Sequence, residues 1–75
     1  MRANNEMIKA RIETINRLME TTSADAFEMG AAYGGYRLER IAGTGIKSLT
    51  PYTTKKELVA YMDAFIDGIL AIKNK

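Results

Sequence analysis

The chain has 75 residues, a formal net charge of +2 and neither cysteine nor histidine. A domain this short buries only about 60% of the surface of its unfolded chain, so it needs a disulfide, a structural metal or self-association to supplement its core. The composition excludes disulfides and disfavours zinc, which binds chiefly to cysteine and histidine. We therefore expect a homo-oligomer with no metal and no cofactor. The small net charge does not point to nucleic acid.

The sequence carries no signal for secretion or membrane insertion. Its first residues, "MRANNEMIKARIE", lack the continuous apolar stretch of a signal peptide. No stretch approaches the roughly 18 apolar residues of a membrane span, and the absence of cysteine is typical of a reducing compartment. We expect a single cytoplasmic domain, residues 1–75, with no membrane partner.

The first segment predicts an amphipathic helix from Asn4 or Asn5 to about Thr21, with Asn5 as its N-cap. Its apolar residues recur at the three- and four-residue spacing of one helix face. This stripe consists of Ile8, Ile12, Ile15 and Met19. Such a helix needs a surface on which to pack.

The next segment, "TTSADAFEMGAAYGG", predicts a short helix from about Ala24 to Tyr33. Gly34 and Gly35 would end it, as glycine commonly does after the last turn. A strand remains the alternative, because apolar residues also alternate along this segment: Phe27, Met29 and Ala31.

The segments "YRLERIA" and "IKSLT", divided by "GTG", predict a two-stranded antiparallel hairpin with its loop around Thr44. On the first strand one face would carry Tyr36, Leu38 and Arg40, and the other Arg37, Glu39 and Ile41. Two strands alone are barely stable in water. The hairpin must therefore rest on helices or join the sheet of another subunit.

The last segment predicts a long helix after Pro51, opened by a capping box that pairs Thr54 with Glu57. Its broad apolar face consists of Leu58, Val59, Met62, Phe65, Ile66, Ile69, Leu70 and Ile72. Gly68, inside the helix, suggests close approach of another backbone. The fold class is therefore α+β, in the order helix, short helix, hairpin and long helix. We expect copies to associate through the last helix.

Enzymatic activity is disfavoured, because the usual nucleophile–base pairs need histidine or cysteine. Asp63 and Asp67 share a helix face, but two carboxylates make a poor cation site and a solvated surface is the simpler interpretation. The glycines fit neither a phosphate-binding loop nor a dinucleotide fingerprint. No residue is predicted to be catalytic.

Cations, hydroxyls and aromatic rings concentrate around the start of the last helix, where free N–H groups favour anions. This candidate ligand site consists of Tyr36, Arg37, Arg40, Lys47, Tyr52, Thr53, Thr54, Lys55 and Lys56. The cations would neutralise phosphate, the threonines would donate hydrogen bonds, and Tyr36 or Tyr52 would stack on a base. Tyr33 offers a further stacking surface outside this set. In the simpler alternative Thr54 only caps the helix, the lysines stay hydrated and the tyrosines fill the edge of the core.

The stretch "YGGYRLERIAGTGIKSLTPYTTKKELVAYMDAFIDGI" resembles small proteins encoded by bacteriophages and prophages. The shared pattern is a Tyr-x-Leu strand, a glycine turn, a Ser/Thr-Pro element, T-K-K-E-L and an aromatic-rich helix ending in Gly-Ile. The resemblance implies a phage origin and action in the bacterial cytosol, as an accessory or counter-defence factor. It carries over no catalytic residue.

Two functions follow as hypotheses. In the first, the oligomer is a sponge that sequesters an anionic nucleotide, such as a cyclic nucleotide immune signal. In the second, the chain inhibits a host protein by docking through its apolar helix face. DNA binding ranks third, because the first helix mixes Lys9, Arg11 and Arg17 with Glu6, Glu13 and Glu20.

Overall fold

A computed structural model describes residues 4–74, so residues 1–3 and 75 of the predicted domain lie outside the described part. The elements in chain order are α1 (Asn5–Met19), β1 (Phe27–Ala32), β2 (Gly35–Ala42), β3 (Gly45–Ser48) and α2 (Lys55–Lys73). The predicted α+β class is confirmed, with one strand more and one helix fewer than expected. Within residues 4–74 neither helix has the length and apolar character that membrane crossing requires.

Helix α1 is capped by Asn4 rather than by Asn5. The N–H of Met7 donates to Oδ1 of Asn4 at 2.9 Å, which satisfies one of the free donors of the first turn. Ile8 and Ile15 are buried, so the predicted stripe faces the core. The helix ends at Met19, where Glu20 adopts the left-handed conformation at φ 53°.

The short helix predicted from Ala24 to Tyr33 is wrong, because Phe27–Ala32 form strand β1. All six of its residues pair with β2 in antiparallel register, from Phe27 opposite Arg40 to Ala32 opposite Gly35. The alternation of apolar residues was therefore the better signal. Pairing with β2 satisfies backbone groups that an isolated glycine-containing helix would hold poorly.

Two-residue turns connect the three strands. Tyr33 and Gly34 join β1 to β2 with φ of 54° and 73°, the pair of positive values that a type I′ turn requires. Gly43, at φ 63°, begins the turn between β2 and β3, and Thr44 follows it. The hairpin predicted around Thr44 is thus confirmed.

Both helices pack on one face of the sheet, whose strand order is β1-β2-β3. The helices run in the same direction, because Arg11 contacts Asp63 near their middles while Leu18 and Ile69, further along each helix, line the same surface depression. The core contains Ile8, Ile15, Phe27, Leu38, Leu58, Val59 and Met62.

The broad apolar face of α2 is mostly covered within the chain. Leu58, Val59 and Met62 are buried, because α1 and the sheet together form a wider support than a two-stranded hairpin offers. Leu70 and Ile72, near the end of the helix, remain exposed. Self-association through α2 therefore stays a prediction.

Candidate functional site

The nine residues of the predicted ligand site do not form one cluster. Arg37 and Arg40 lie three positions apart on β2, so their side chains leave opposite faces of the sheet. Tyr36 lies on the helix-facing side with Arg40, whereas Tyr52 contacts Arg37 on the outer face. The predicted residues therefore divide between the two faces of the sheet and the start of α2.

On the helix-facing side Arg40 already has a carboxylate partner. Its Nε and Nη2 donate to the two carboxylate oxygens of Asp25 at 2.8 and 3.0 Å, and its guanidinium lies 5.1 Å from the ring centroid of Phe27. The hydrogen bond from Arg40 lowers the pKa of Asp25 from its ordinary 3.8, with the positive charge of Arg40 acting in the same direction. Lys47 lies opposite Arg40 on β3 and is exposed.

The start of α2 is occupied by the carboxylate of Glu57. The N–H of Glu57 donates to Oγ1 of Thr54 at 3.1 Å, while the hydroxyls of Thr53 and Thr54 donate to Glu57 at 2.7 and 3.3 Å. The capping role of Thr54 is confirmed, although Glu57 accepts from hydroxyls where a capping box uses the backbone N–H of the cap residue. A phosphate here would have to displace Glu57.

Lys55 and Lys56 begin α2 beside this carboxylate. The Nζ of Lys55 lies 5.1 Å from the ring centroid of Tyr36, a cation–π contact on the helix-facing side. Lys56 is exposed. Neither lysine forms an ion pair within residues 4–74.

Three residues, two of them from the predicted site, form a compact, partly exposed surface on the outer face of the sheet. We call Tyr33, Tyr52 and Arg37 the aromatic cluster. The rings of Tyr33 and Tyr52 meet edge to face, with centroids 5.5 Å apart, and the Arg37 guanidinium lies 4.4 Å from the Tyr52 centroid. Tyr33 is 94% exposed.

Backbone pairing places Tyr52 in this cluster. The N–H groups of Tyr36 and Thr53 each donate to the carbonyl of the other at 2.8 Å, so the chain beyond β3 returns to the start of β2. Gly35 permits the approach, because a Cβ there would lie 3.2 Å from the Cβ of Tyr52. The ring of Tyr52 is thereby fixed beside Arg37.

Glu39 fixes the position of Arg37. The Nε of Arg37 donates to Oε2 of Glu39 at 2.6 Å, and Glu39 is only 7% exposed. A buried carboxylate needs such a partner, since an unpaired charge is costly to remove from water. The pair holds the guanidinium over the ring of Tyr52 and also neutralises its charge.

The outward face of α2 includes four small or aromatic exposed residues, Ala60, Tyr61, Ala64 and Gly68, together with the charged Glu57 and Asp67. No atom lies within 4 Å of the position that a Cβ on Gly68 would occupy. The close backbone approach predicted at Gly68 is therefore not made by the described part of this chain.

The sequence interpretation gave no role to Asn16 and left Tyr33 out of the nine-residue candidate site. The Asn16 carboxamide accepts from the N–H of Phe27 at 2.8 Å and donates to the Phe27 carbonyl at 3.1 Å. No pattern in the sequence around Asn16 predicts these two hydrogen bonds. Tyr33 could have been noticed from the sequence. The pair Tyr33-Gly34 occupies a type I′ turn, in which Asn-Gly is the favoured pair, so a tyrosine there is unusual.

The chemistry available on the outer face is that of contact: two aromatic rings, a guanidinium and the carboxylate that orients it. Within residues 4–74 no three acidic side chains gather in an arrangement suited to a metal ion. Comparisons with protein-family models, with curated proteins and with solved structures find no match to this chain.

Proposed function

We propose that this chain is a protein-binding module that contacts its partner through the aromatic cluster. The observation that carries the proposal is the backbone of Tyr33, which takes φ 54° in the first position of a type I′ turn. The left-handed conformation costs an ordinary L-residue about 1–2 kcal/mol, and asparagine or glycine avoids most of that cost. Tyrosine is thus a poor choice for the turn itself.

The folded chain gains little from the Tyr33 side chain in return. The ring is 94% exposed, and within residues 4–74 it contacts one other aromatic ring, that of Tyr52, edge to face. A strained residue whose side chain faces solvent supports a role outside the fold. Contact of the exposed ring with a binding partner would account for a tyrosine at this position.

The residue types and their rigidity favour a protein as that molecule. Tyrosine and arginine are enriched among the residues that dominate binding energy at protein interfaces. Tyr52 and Arg37 are held in place by Gly35 and Glu39, so little side-chain freedom remains to be lost on binding. The proposed contact is therefore preorganised.

This proposal keeps the second of the two predicted functions but moves its contact surface. The apolar face of α2 is largely buried against α1 and the sheet, which leaves little of it for a host protein. The aromatic cluster takes over that role. Inhibition of a host protein in the bacterial cytosol, by a protein of phage origin, remains our hypothesis for the biological setting.

Nucleotide sequestration is the second candidate, favoured by the Arg37–Tyr52 stack beside an exposed ring, on which a base could lie. It ranks lower because carboxylates already accompany both arginines and both threonines of the predicted site. Arg37 pairs with Glu39, Arg40 pairs with Asp25, and the hydroxyls of Thr53 and Thr54 donate to Glu57.

The proposal is tested by site-specific photo-cross-linking. A benzophenone amino acid replaces Tyr33 in one variant and Tyr61, which is 48% exposed on α2, in the matched control. We expect a discrete protein adduct in a bacterial lysate from position 33, suppressed by an excess of unlabelled wild-type chain, and none from position 61. Equal labelling from both positions, or an adduct that wild-type chain does not suppress, would contradict the proposal.

A further inference from the structure

Strand β1 has an open edge that is built to accept another strand. The N–H of Ile41 donates to the carbonyl of Ala26 at 2.8 Å, which fixes the alternation along the β1–β2 ladder. The backbone groups of Met29 and Ala31 therefore point away from β2. No backbone hydrogen bond outside the sheet involves either residue within the described part of the chain.

At one position on this edge, a side chain already takes the place of a neighbouring strand. At Phe27 the Asn16 carboxamide both accepts from the N–H and donates to the carbonyl, as a neighbouring strand would. This contact ends at Phe27. Two and four residues further on, at Met29 and Ala31, the edge continues without such a partner.

The edge also lacks the features that normally protect one. Exposed edges are usually blunted by lysine, proline, a bulge or very short length. Strand β1 has none of these over its six paired residues, and the two residues whose backbone faces outward, Met29 and Ala31, carry no charge. The opposite edge strand, β3, has only four residues and contains Lys47.

A groove runs beside this edge, between β1 and α1. Its volume is about 420 Å³, and its lining combines the apolar Ile8, Ile12 and Met29 with the charged Lys9, Glu13 and Glu28. That volume lies within the range of about 300–1,000 Å³ typical of ligand sites. In a strand added to β1, every second side chain would point toward this groove.

The remaining side chains of an added strand would lie on the outer face, from which Glu28 leaves the edge of β1 before it also lines the groove. Glu28 is directly opposite Glu39 across the ladder, and Glu39 is already paired with Arg37. Glu28 has no ion-pair partner within residues 4–74. A basic side chain beside it would form a favourable cross-strand pair.

From these observations we propose that the β1 edge binds an extended peptide segment of another protein by strand addition, with apolar and basic residues alternating along the segment. Main-chain hydrogen bonds to Met29 and Ala31 provide affinity, and the groove and Glu28 select the side chains. This inference concerns a different surface from the aromatic cluster and does not depend on it.

The test uses fluorescence anisotropy with a fluorescein-labelled heptapeptide, Lys-Val-Lys-Val-Lys-Val-Lys. We expect saturable binding to the wild-type chain. In Ala31→Pro the edge loses an outward N–H, which an edge strand tolerates, and affinity should fall about tenfold. The matched control, Ile46→Pro on the opposite edge, and Tyr33→Asn in the aromatic cluster should both bind the peptide like wild type. A peptide with glutamate in place of lysine should bind more weakly.

Amide exchange on the wild-type chain makes the test independent of how the proline variant folds. We expect the amide protons of Met29 and Ala31 to become protected when the lysine–valine peptide is added. The inference is overturned if wild type does not bind the peptide, if those two amides stay unprotected, or if Ile46→Pro loses binding while Ala31→Pro keeps it. Loss of binding in Tyr33→Asn would instead assign the peptide to the aromatic cluster.

Discussion

The carboxylate of Glu39 occupies the space in which a Cβ on Gly30 would stand. Arg37 holds Glu39 there by a 2.6 Å hydrogen bond, so the side chain does not swing away freely. We predict that Gly30→Ala lowers the free energy of unfolding by about 1–3 kcal/mol, because the added methyl group overfills this site. Urea denaturation measures the change, and wild-type stability in Gly30→Ala would contradict the arrangement.

The same substitution at Gly68 should have the opposite effect. Since no atom lies within 4 Å of that Cβ position, alanine removes only the helix-interior penalty of glycine. We predict a gain of about 1 kcal/mol in the free energy of unfolding, which corresponds to about 4–8 °C in Tm for a domain of this size. Self-association through α2 requires the reverse: lower stability, and a smaller species in sedimentation than wild type forms.

The Asp25–Arg40 pair should give the chain a specific acid sensitivity. Because the folded pKa of Asp25 lies below 3.8, the pair stabilises the fold above that pH and loses its effect as the pH falls through the lowered pKa. The stability difference between wild type and Asp25→Asn should therefore stay constant from about pH 7 to about pH 5 and shrink below 3.8.

Urea unfolding at several pH values measures this difference, and Asp67→Asn is the control. Asp67 is exposed and forms no ion pair within residues 4–74. Its replacement should leave stability close to that of wild type at each pH. A difference between wild type and Asp25→Asn that persists unchanged at pH 3 would show that the ion pair is not its source.

A panel of mono-, di- and cyclic nucleotides distinguishes the two candidate functions. We expect no change in Tm, because Arg37, Arg40 and the start of α2 are already matched with carboxylates. A nucleotide bound at 100 times its Kd would stabilise the fold by about 2.7 kcal/mol, an effect that a thermal-shift assay detects. Such a rise, abolished in Arg37→Ala, would favour sequestration over protein binding.

Much of the fold was predictable because its signals are local. Thr54 and Glu57 predict the start of α2, and Gly43 predicts the turn between β2 and β3. Strand β1 was only the alternative to a short helix, because the alternation of Phe27, Met29 and Ala31 is a weak signal until its pairing with β2 is known. Glycine weakens a helix and a strand alike, so Gly30 favours neither. Its presence is explained by the Glu39 side chain on the neighbouring strand, which fills the space of a Cβ at position 30.

The site was harder to predict than the fold, for a physical reason. Proximity in sequence suggested one patch, but the alternation of a strand sends Arg37 and Arg40 to opposite faces. The interpretation also counted cations without the acids that accompany them, chiefly Asp25 and Glu39. Tyr33 was considered only as a further stacking surface, because its turn could be recognised only once β1 was known to be a strand.

The most direct test of the central claim measures both the thermal stability and the partner capture of Tyr33→Asn. Asn-Gly suits a type I′ turn better, which offsets the lost ring contact of about 0.5–1.5 kcal/mol with Tyr52. We predict a Tm equal to or above that of wild type together with loss of partner capture. A variant that still captures the partner, or that melts well below wild type, would contradict the claim that Tyr33 is kept for binding.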